Sequence, residues 1–410
     1  MKPVRLGIIG CGGYASELIK RIWTLPRHVH LASAVSLDPA DAQSQACAKR
    51  GARLFRSLDE MLDHEAGSLD VILNPTSIHT HLPLTLRCLE AGLPVWLEKP
   101  PVATVQELDE IAAAAAKAGR RVDVCFNSLY GTVVQQLKKE LVEGRFGKVR
   151  RVRSVAAWIR GSDYFQRNAW AGRLKADGAW VLDGSINNPL AHAVANSLYF
   201  AAAEHHQLAF PESVEALLVH GNQIESEDTS SLRVVTAGGV EVVCNFTLCA
   251  EEILAPSTVI DAELAEIELH DFSTVNIHWH DGRKESRESY KENRVEMLEE
   301  LALGAAGQAG PICDISMCRP FTVMVNAAFE AFGHPQSVSP DWVERAPVGA
   351  TVRSRIRGIN SSLLAAHRDG RMLTKETAPW VPECGRLQGL GNYVRFAGLN
   401  GTLPGEVCPG

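Results

Sequence analysis

Short apolar runs alternate with amphipathic stretches through the first third of the chain, and this alternation restricts the fold more than any other feature. The runs are VRLGII (4–9), LASAVS (31–36), DVILNP (70–75), PVWLE (94–98) and VDVCF (122–126). After the first run, Leu18, Ile19, Ile22 and Trp23 take helical spacing. An alanine-rich stretch follows the second, and 82–92 is a helix closed by glycine. SLDE (57–60) and TVQE (104–107) are capping boxes that open two more helices. Strands spaced this way need a crossover helix between them, which predicts an α/β fold with a doubly wound parallel sheet.

In that setting GCGGYA (10–15) gains meaning, because it joins the first strand to the first helix. Gly10 permits the tight turn, Gly12 lets backbone approach a pyrophosphate, and Ala15 lets helix and strand pack closely. Gly13 and Tyr14 complete the turn, and the helix N-terminus turns its free N–H groups to the phosphates. Asp38 follows the second strand. A carboxylate there bonds a ribose 2′-hydroxyl and repels a 2′-phosphate, which favours NAD and leaves NADP open. The competing reading is an ordinary turn at DPAD, with Ser36 at the strand tip.

The stretch WLEKPPVAT (96–104) ends a buried strand with Glu98 and Lys99, directly before two prolines. Lysine is seldom buried without a partner or a task. Ligands of open α/β sheets bind at the carboxyl ends of strands, so Lys99 is expected to face the cofactor crevice. A cis bond at Pro100 would fix its direction. The bland alternative is a solvated lysine at a strand end.

The turn at 10–15, the stretch 74–104 (NPTSIHTHLPLTLRCLEAGLPVWLEKPPVAT) and FGKV (146–149) together resemble the glucose–fructose oxidoreductase / inositol dehydrogenase / rhizopine-catabolism (Gfo/Idh/MocA) family. Glu98-Lys99-Pro100 is the most specific mark. The resemblance implies a nicotinamide-dependent oxidoreductase of sugars or cyclitols, with Lys99 beside the reacting carbon. It also implies cofactor contacts at Asn74, Pro75, His79, Glu98, Lys99 and Asn127. A homo-oligomer, dimer or tetramer, formed through one face of a C-terminal sheet, is implied as well.

After FGKV the pattern changes to strand-like runs at 149–161, 214–221, 231–248, 258–271 and 273–286, with helices at 296–304 and 321–333. This predicts an α+β unit with a mostly antiparallel sheet. The expected division is a Rossmann domain at 1–125, a substrate and oligomerisation domain at 126–345, and a turn-rich segment, 346–410, packed on the second domain. Family members carry an aspartate and a histidine four apart at a helix start. The matching pair here is Asn188 and His192, with Pro189 suited to the first turn. Asp183 is the other residue able to supply the acid. His192 is the expected base, with a packed polar histidine as its alternative. Upstream, Arg160, Asp163, Tyr164, Arg167, Asn168 and Trp170 are dense enough in polar and aromatic groups to line a sugar site, or else an ordered surface loop. The arginines hint at an anionic group, although arginine also binds neutral sugars.

The remaining features exclude more than they assign. The formal net charge of −7 argues against a nucleic-acid partner, and no run reaches membrane length. The N-terminus lacks a secretory pattern, and the ten cysteines are scattered without a CxxC pair. A cytoplasmic chain with reduced thiols is therefore expected. Two HxH pairs, His79/His81 and His278/His280, lack a third ligand cluster, so no metal is expected. There is no GxSxG elbow for a serine hydrolase. The functional expectation is hydride transfer between NAD(P) and a hydroxyl or carbonyl of a sugar, sugar acid or cyclitol. Its rivals are redox-neutral NAD-dependent cleavage or epimerisation, and a non-catalytic NAD(P)-binding regulator.

Overall fold

The computed structural model describes residues 2–289 and 291–399. They form two compact units. The first takes the chain up to Val102, then Glu107–Thr132 and Ser289–Cys318; the second takes Ala103–Gln106, Val133–Glu288 and the chain from Arg319 on.

The first unit is a six-stranded sheet of β1 (Val4–Ile9), β2 (Val29–Val35), β3 (Arg53–Phe55), β4 (Val71–Asn74), β5 (Val95–Leu97) and β6 (Val122–Val124), ordered β3-β2-β1-β4-β5-β6. Every pairing is parallel. The crossovers carry α1 (Tyr14–Ile22), α2 (Ala42–Lys49), α3 (Leu58–Glu65) and α4 (His81–Glu90). Strand β1 pairs β2 on one side and β4 on the other, so the order reverses there. A crevice opens at such a point, beyond the strands' carboxyl ends. Strand β3 has only three residues, too few to show a period in the sequence. The box at α3 forms in part: Ser57 Oγ accepts Glu60 N–H at 3.1 Å, while the Glu60 carboxylate takes Arg56 N–H at 2.8 Å.

The first unit also recruits a distant segment. Val124 N–H donates to the Cys313 carbonyl at 2.8 Å, and Ile315 N–H donates to the Val122 carbonyl at 2.9 Å. Arg21 pairs with Glu292 at 3.1 Å, which ties the helix Asn293–Ala305 to the α1 side. A single cut near 125 therefore misses this return of the chain.

The second unit is built on a ten-stranded sheet. Its strands run Lys284–Glu288, Thr274–Trp279, Ala265–His270, Cys249–Ala262, Val149–Ile159, Glu241–Thr247, Thr229–Thr236 and Pro211–His220. Gln336–Ser337 and Gly385–Gln388 both pair the last of these. Most neighbours are antiparallel; Val149–Ile159 beside Glu241–Thr247 is parallel. The sequence run 231–248 is a hairpin, turned at Gly239 with φ 76°. The run 258–271 is also two strands, not one. The segment 249–257 escapes strand periodicity because its register shifts repeatedly against Val149–Ile159.

Both faces of this sheet are covered. On one face, Ser154 Oγ lies 2.8 Å from Ser197 Oγ of the helix Ala191–Ala201. On the other, Val155, Ala157, Leu217 and Val219 pack against Ile359, Leu363 and Ala366 of the helix Ile359–Asp369, and against Met372, Leu373 and Trp380. The C-terminal segment thus carries a helix and strands where mainly turns were expected. Cys11, Cys47, Cys88, Cys125, Cys244, Cys249, Cys313 and Cys318 are buried free thiols. Cys384 is disulfide-bonded, which departs from the expectation of reduced thiols throughout; Cys408 lies outside the described residues. Among the described residues no helix is long and apolar enough to cross a membrane.

Candidate active site

The glycine turn lies at the β1 carboxyl end. Gly10 and Gly13 take φ of 100° and 54°, the left-handed region that glycine reaches without penalty. Gly12 does not, and a Cβ placed there would meet no protein atom within 4 Å. Neither backbone strain nor packing therefore demands glycine at 12. The bare backbone there is open to a ligand. Gly13 is the N-cap of α1 and gives no side-chain cap, while Ala15 is buried beneath. Tyr14 takes a 3.1 Å hydrogen bond from Arg294 Nε, so the return segment adds a cation beside the turn.

A groove of about 490 Å³ runs from this turn. Gly10, Cys11 and Gly12 form one wall; Ser36, Leu37 and Asp38 form another; Arg56, Ser57 and Thr76 line the rest. Asp38 is exposed, and its Oδ1 accepts Ala40 N–H at 3.1 Å, as turn chemistry requires. It nevertheless lies in the groove wall, where a ribose hydroxyl can reach it. Leu37 is 89% exposed, an apolar surface suited to the face of a base. The groove, the bare turn and the helix N-terminus fit a dinucleotide. Cys11, Arg56, Thr76 and Arg294 were missed in the sequence. A GxGxxA spacing does not register the residue between its glycines, and Arg294 is far away in the chain.

Glu98, Lys99 and Pro100 follow β5, and the Lys99–Pro100 bond is cis. Glu98 is buried. Its Oε2 accepts Lys99 N–H at 3.1 Å, and its Oε1 has no partner among the described residues. Burial pushes this carboxyl up to about 7, against the pull of the Lys99 ammonium. His81 holds the turn from behind. Its Nδ1 lies 3.1 Å from the Pro100 and Pro101 carbonyls, and its Nε2 lies 3.1 Å from the Thr76 carbonyl. Burial lowers its pKa to about 4, so the ring stays neutral. Both ring nitrogens face the backbone, which removes His81 as a metal ligand. Among the described residues no His, Cys, Asp or Glu cluster could hold a metal ion.

Asn74 departs from its expected role. Its buried amide closes the β4 turn, accepting Thr76 Oγ1–H at 2.7 Å and facing Thr85 Oγ1 at 3.3 Å. Thr76 lines the groove in its place. Pro75, His79 and Asn127 are half-buried and stand outside the groove lining.

In the second unit the helix of His192 begins at Ala191, not at Pro189. Asn188 therefore sits in the turn before it, and the pair does not share one helical face. The structure brings Asn188 to Asp183 instead: Asn188 Nδ2 donates to Asp183 Oδ1 at 2.6 Å. Asp183 is buried; its Oδ2 accepts Gly172 N–H at 2.7 Å and lies 3.5 Å from Arg167. Arg167 stacks 3.9 Å over Tyr164 and 5.2 Å from Trp170. Burial and the Asp183 charge push the Tyr164 phenol up to about 12. Asn168 faces elsewhere, into a groove of about 620 Å³ with Phe165 and Gln166. Asp163 is exposed and accepts Thr351 Oγ1–H at 2.5 Å, a loop tie.

Backbone strain marks the same region. Leu182, before Asp183, has φ 45°, and Asp271 and Phe272 have φ 46° and 57°. Such values cost roughly 1–3 kcal/mol each and persist where the surroundings enforce them. Phe272 sets its ring edge-on to His192, centroids 6.0 Å apart. The backbone N–H groups of Ser185 and Ile186, in the turn before the His192 helix, donate to the buried Glu227 carboxyl at 2.8 and 3.1 Å.

A parallel sheet with a glycine turn at its switch point defines a dinucleotide-binding Rossmann domain. Residues 4–126 match the family described as an oxidoreductase family with an NAD-binding Rossmann fold. Residues 4–126, under a third of the chain, are thus similar to the NAD-binding domain of this Gfo/Idh/MocA family. Inositol 2-dehydrogenase 2 of Saccharopolyspora erythraea is 27% identical over 153 residues, 37% of this chain and 44% of that protein. D-glucoside 3-dehydrogenase of Escherichia coli is 27% identical over 147 residues, 36% and 41% of the respective chains. The match thus spans less than half the length of these relatives. Among solved structures, the WlbA dehydrogenase from Chromobacterium violaceum, in complex with NADH and UDP-GlcNAcA, is similar with a TM-score of 0.66. It is 23% identical, and the match covers 80% of this chain and 93% of that one. This likeness extends the fold correspondence through the second unit.

Proposed function

We propose that the chain is an NAD(P)-dependent dehydrogenase or reductase acting on a CH–OH group of a sugar, sugar acid or cyclitol. The observation that carries this reading is the bare Gly12 turn at the β1/β4 switch point, with Lys99 at the carboxyl end of β5 in the same sheet. The named relatives, an inositol dehydrogenase and a glucoside dehydrogenase, support the substrate class.

The nicotinamide, when bound, supplies or accepts the hydride. Gly10, Gly12 and the α1 N-terminus would hold the pyrophosphate, and Asp38 the ribose. Lys99 would support negative charge developing on the substrate oxygen. His192 would take the hydroxyl proton in oxidation and return it in reduction. Asn188, whose amide N–H goes to Asp183, would position the substrate or His192. The test is turnover. Lys99→Ala and His192→Ala should each lower kcat/KM by about 10²–10⁴-fold while NADH binding persists. Turnover unchanged in both variants would remove these roles. Product formed without net NADH would instead assign the redox-neutral use of the same groups.

A further inference from the structure

Arg160 follows the strand Val149–Ile159, and its guanidinium lies between two rings, Trp158 at 5.0 Å and Tyr164 at 4.9 Å. It is only partly exposed, and its buried Nε has no hydrogen-bond partner among the described residues. Among the described residues no carboxylate pairs with it. Buried donors are nearly always satisfied, and an arginine carries five of them in a rigid planar fork. Stacking on the rings accounts for the guanidinium's faces and leaves its edge unused.

The neighbours show why the shortage is local. Arg167 stacks on the same Tyr164 ring and donates to the Tyr164 carbonyl at 2.8 Å. Asp183, the carboxylate that Arg167 reaches, is already held by Gly172 N–H and Asn188 Nδ2. Arg167 therefore approaches a carboxylate whose oxygens are in use, and Arg160 pairs with no carboxylate among the described residues. The same Asp183 holds Asn188, which joins these arginines to the segment assigned above to the substrate.

We propose that this cluster receives an anionic group on the substrate, a carboxylate or a phosphate, with Arg160 as the fork that binds it. The inference rests on the dehydrogenase reading and narrows its substrate class to acidic or phosphorylated sugars. Planar bidentate recognition of such groups is what arginine does and lysine does not.

Calorimetric titration of the NADH-loaded protein with D-glucose, D-glucuronate and D-glucose 6-phosphate tests it. One of the two anions should bind at least about 10-fold more tightly than glucose, and which one does so tells carboxylate from phosphate. Arg160→Ala should collapse that preference toward unity, a change of about 10–100-fold, while NADH affinity reports that the first unit is intact. Arg160→Lys keeps the charge without the fork and should recover only part of the preference. Equal binding of the three sugars, or a preference that survives in Arg160→Ala, overturns the proposal. If glucose is still oxidised at 340 nm in that case, the dehydrogenase reading stands without it. If no sugar is bound or oxidised, that reading falls, and this inference falls with it.

Discussion

A Cβ at Gly12 meets nothing of the protein, so Gly12→Val should fold normally and yet lose NADH affinity by well over 10-fold. A melting temperature that falls as much as the affinity would mean that glycine is needed for the fold. The pH behaviour of Glu98 separates in the same way. Its folded pKa lies near 7, above the ordinary carboxylate value, so the folded state holds its proton more tightly than the unfolded state. Burying the carboxylate therefore costs nothing below about pH 4.5 and increasingly more between there and about 7. Glu98→Gln should become more stable relative to the wild type across that window. Urea melts at pH 4.5 and 8 measure it, and a constant difference would contradict the cause. Cys11 offers a third handle, since a hydrogen bond from Cys47 lowers its thiol to about 7. It lines the groove, so alkylation near neutral pH should be faster than at Cys88, and NADH should slow it. Peptide mass mapping decides between the two sites.

At the level of elements, the sequence exposed what is local and hid what is distant. The glycine turn, Lys99 and five of the six Rossmann strands follow from spacing within a dozen residues. Strand β3 does not, because three residues show no period. The Asn188–His192 pair misled for a related reason. Pro189 permits a helical first turn, but the Glu227 carboxyl captures the Ser185 and Ile186 N–H groups and holds a turn through to Leu190. Asp183 then becomes Asn188's partner, a contact chosen by a residue some forty positions away. Glu227→Gln puts an amide N–H₂ against one of those backbone donors. It should cost about 1–3 kcal/mol and raise KM more than it lowers Tm-corrected binding of NADH. Equal loss of sugar and NADH binding would indicate general destabilisation.

On the scale of the molecule, the C-terminal segment is part of the second unit's core. Leu363 is fully buried, in the cluster where the helix Ile359–Asp369 meets Val155, Ala157, Leu217 and Val219. Leu363→Asp buries an unpaired charge there and should destabilise the protein by more than about 3 kcal/mol in denaturant melts. The rest of that sheet face is a row of charge pairs, with Arg151 and Arg233 on Glu241, and Arg233 and Arg386 on Glu215. The face implied for oligomer contacts is thus partly covered by the chain itself and partly charged. Alternating strand periods could not disclose this, because the covering helix arrives two hundred residues after the strand it covers.

The most direct test of the central claim is absorbance at 340 nm on mixing the protein with NAD and, in turn, myo-inositol, D-glucose, D-glucuronate and D-glucose 6-phosphate. The account predicts NADH formation with at least one of them, abolished in Gly12→Val and strongly reduced in Lys99→Ala. Tight NADH binding with no absorbance change for any of the four would contradict the dehydrogenase assignment and leave a nucleotide-binding protein without this chemistry.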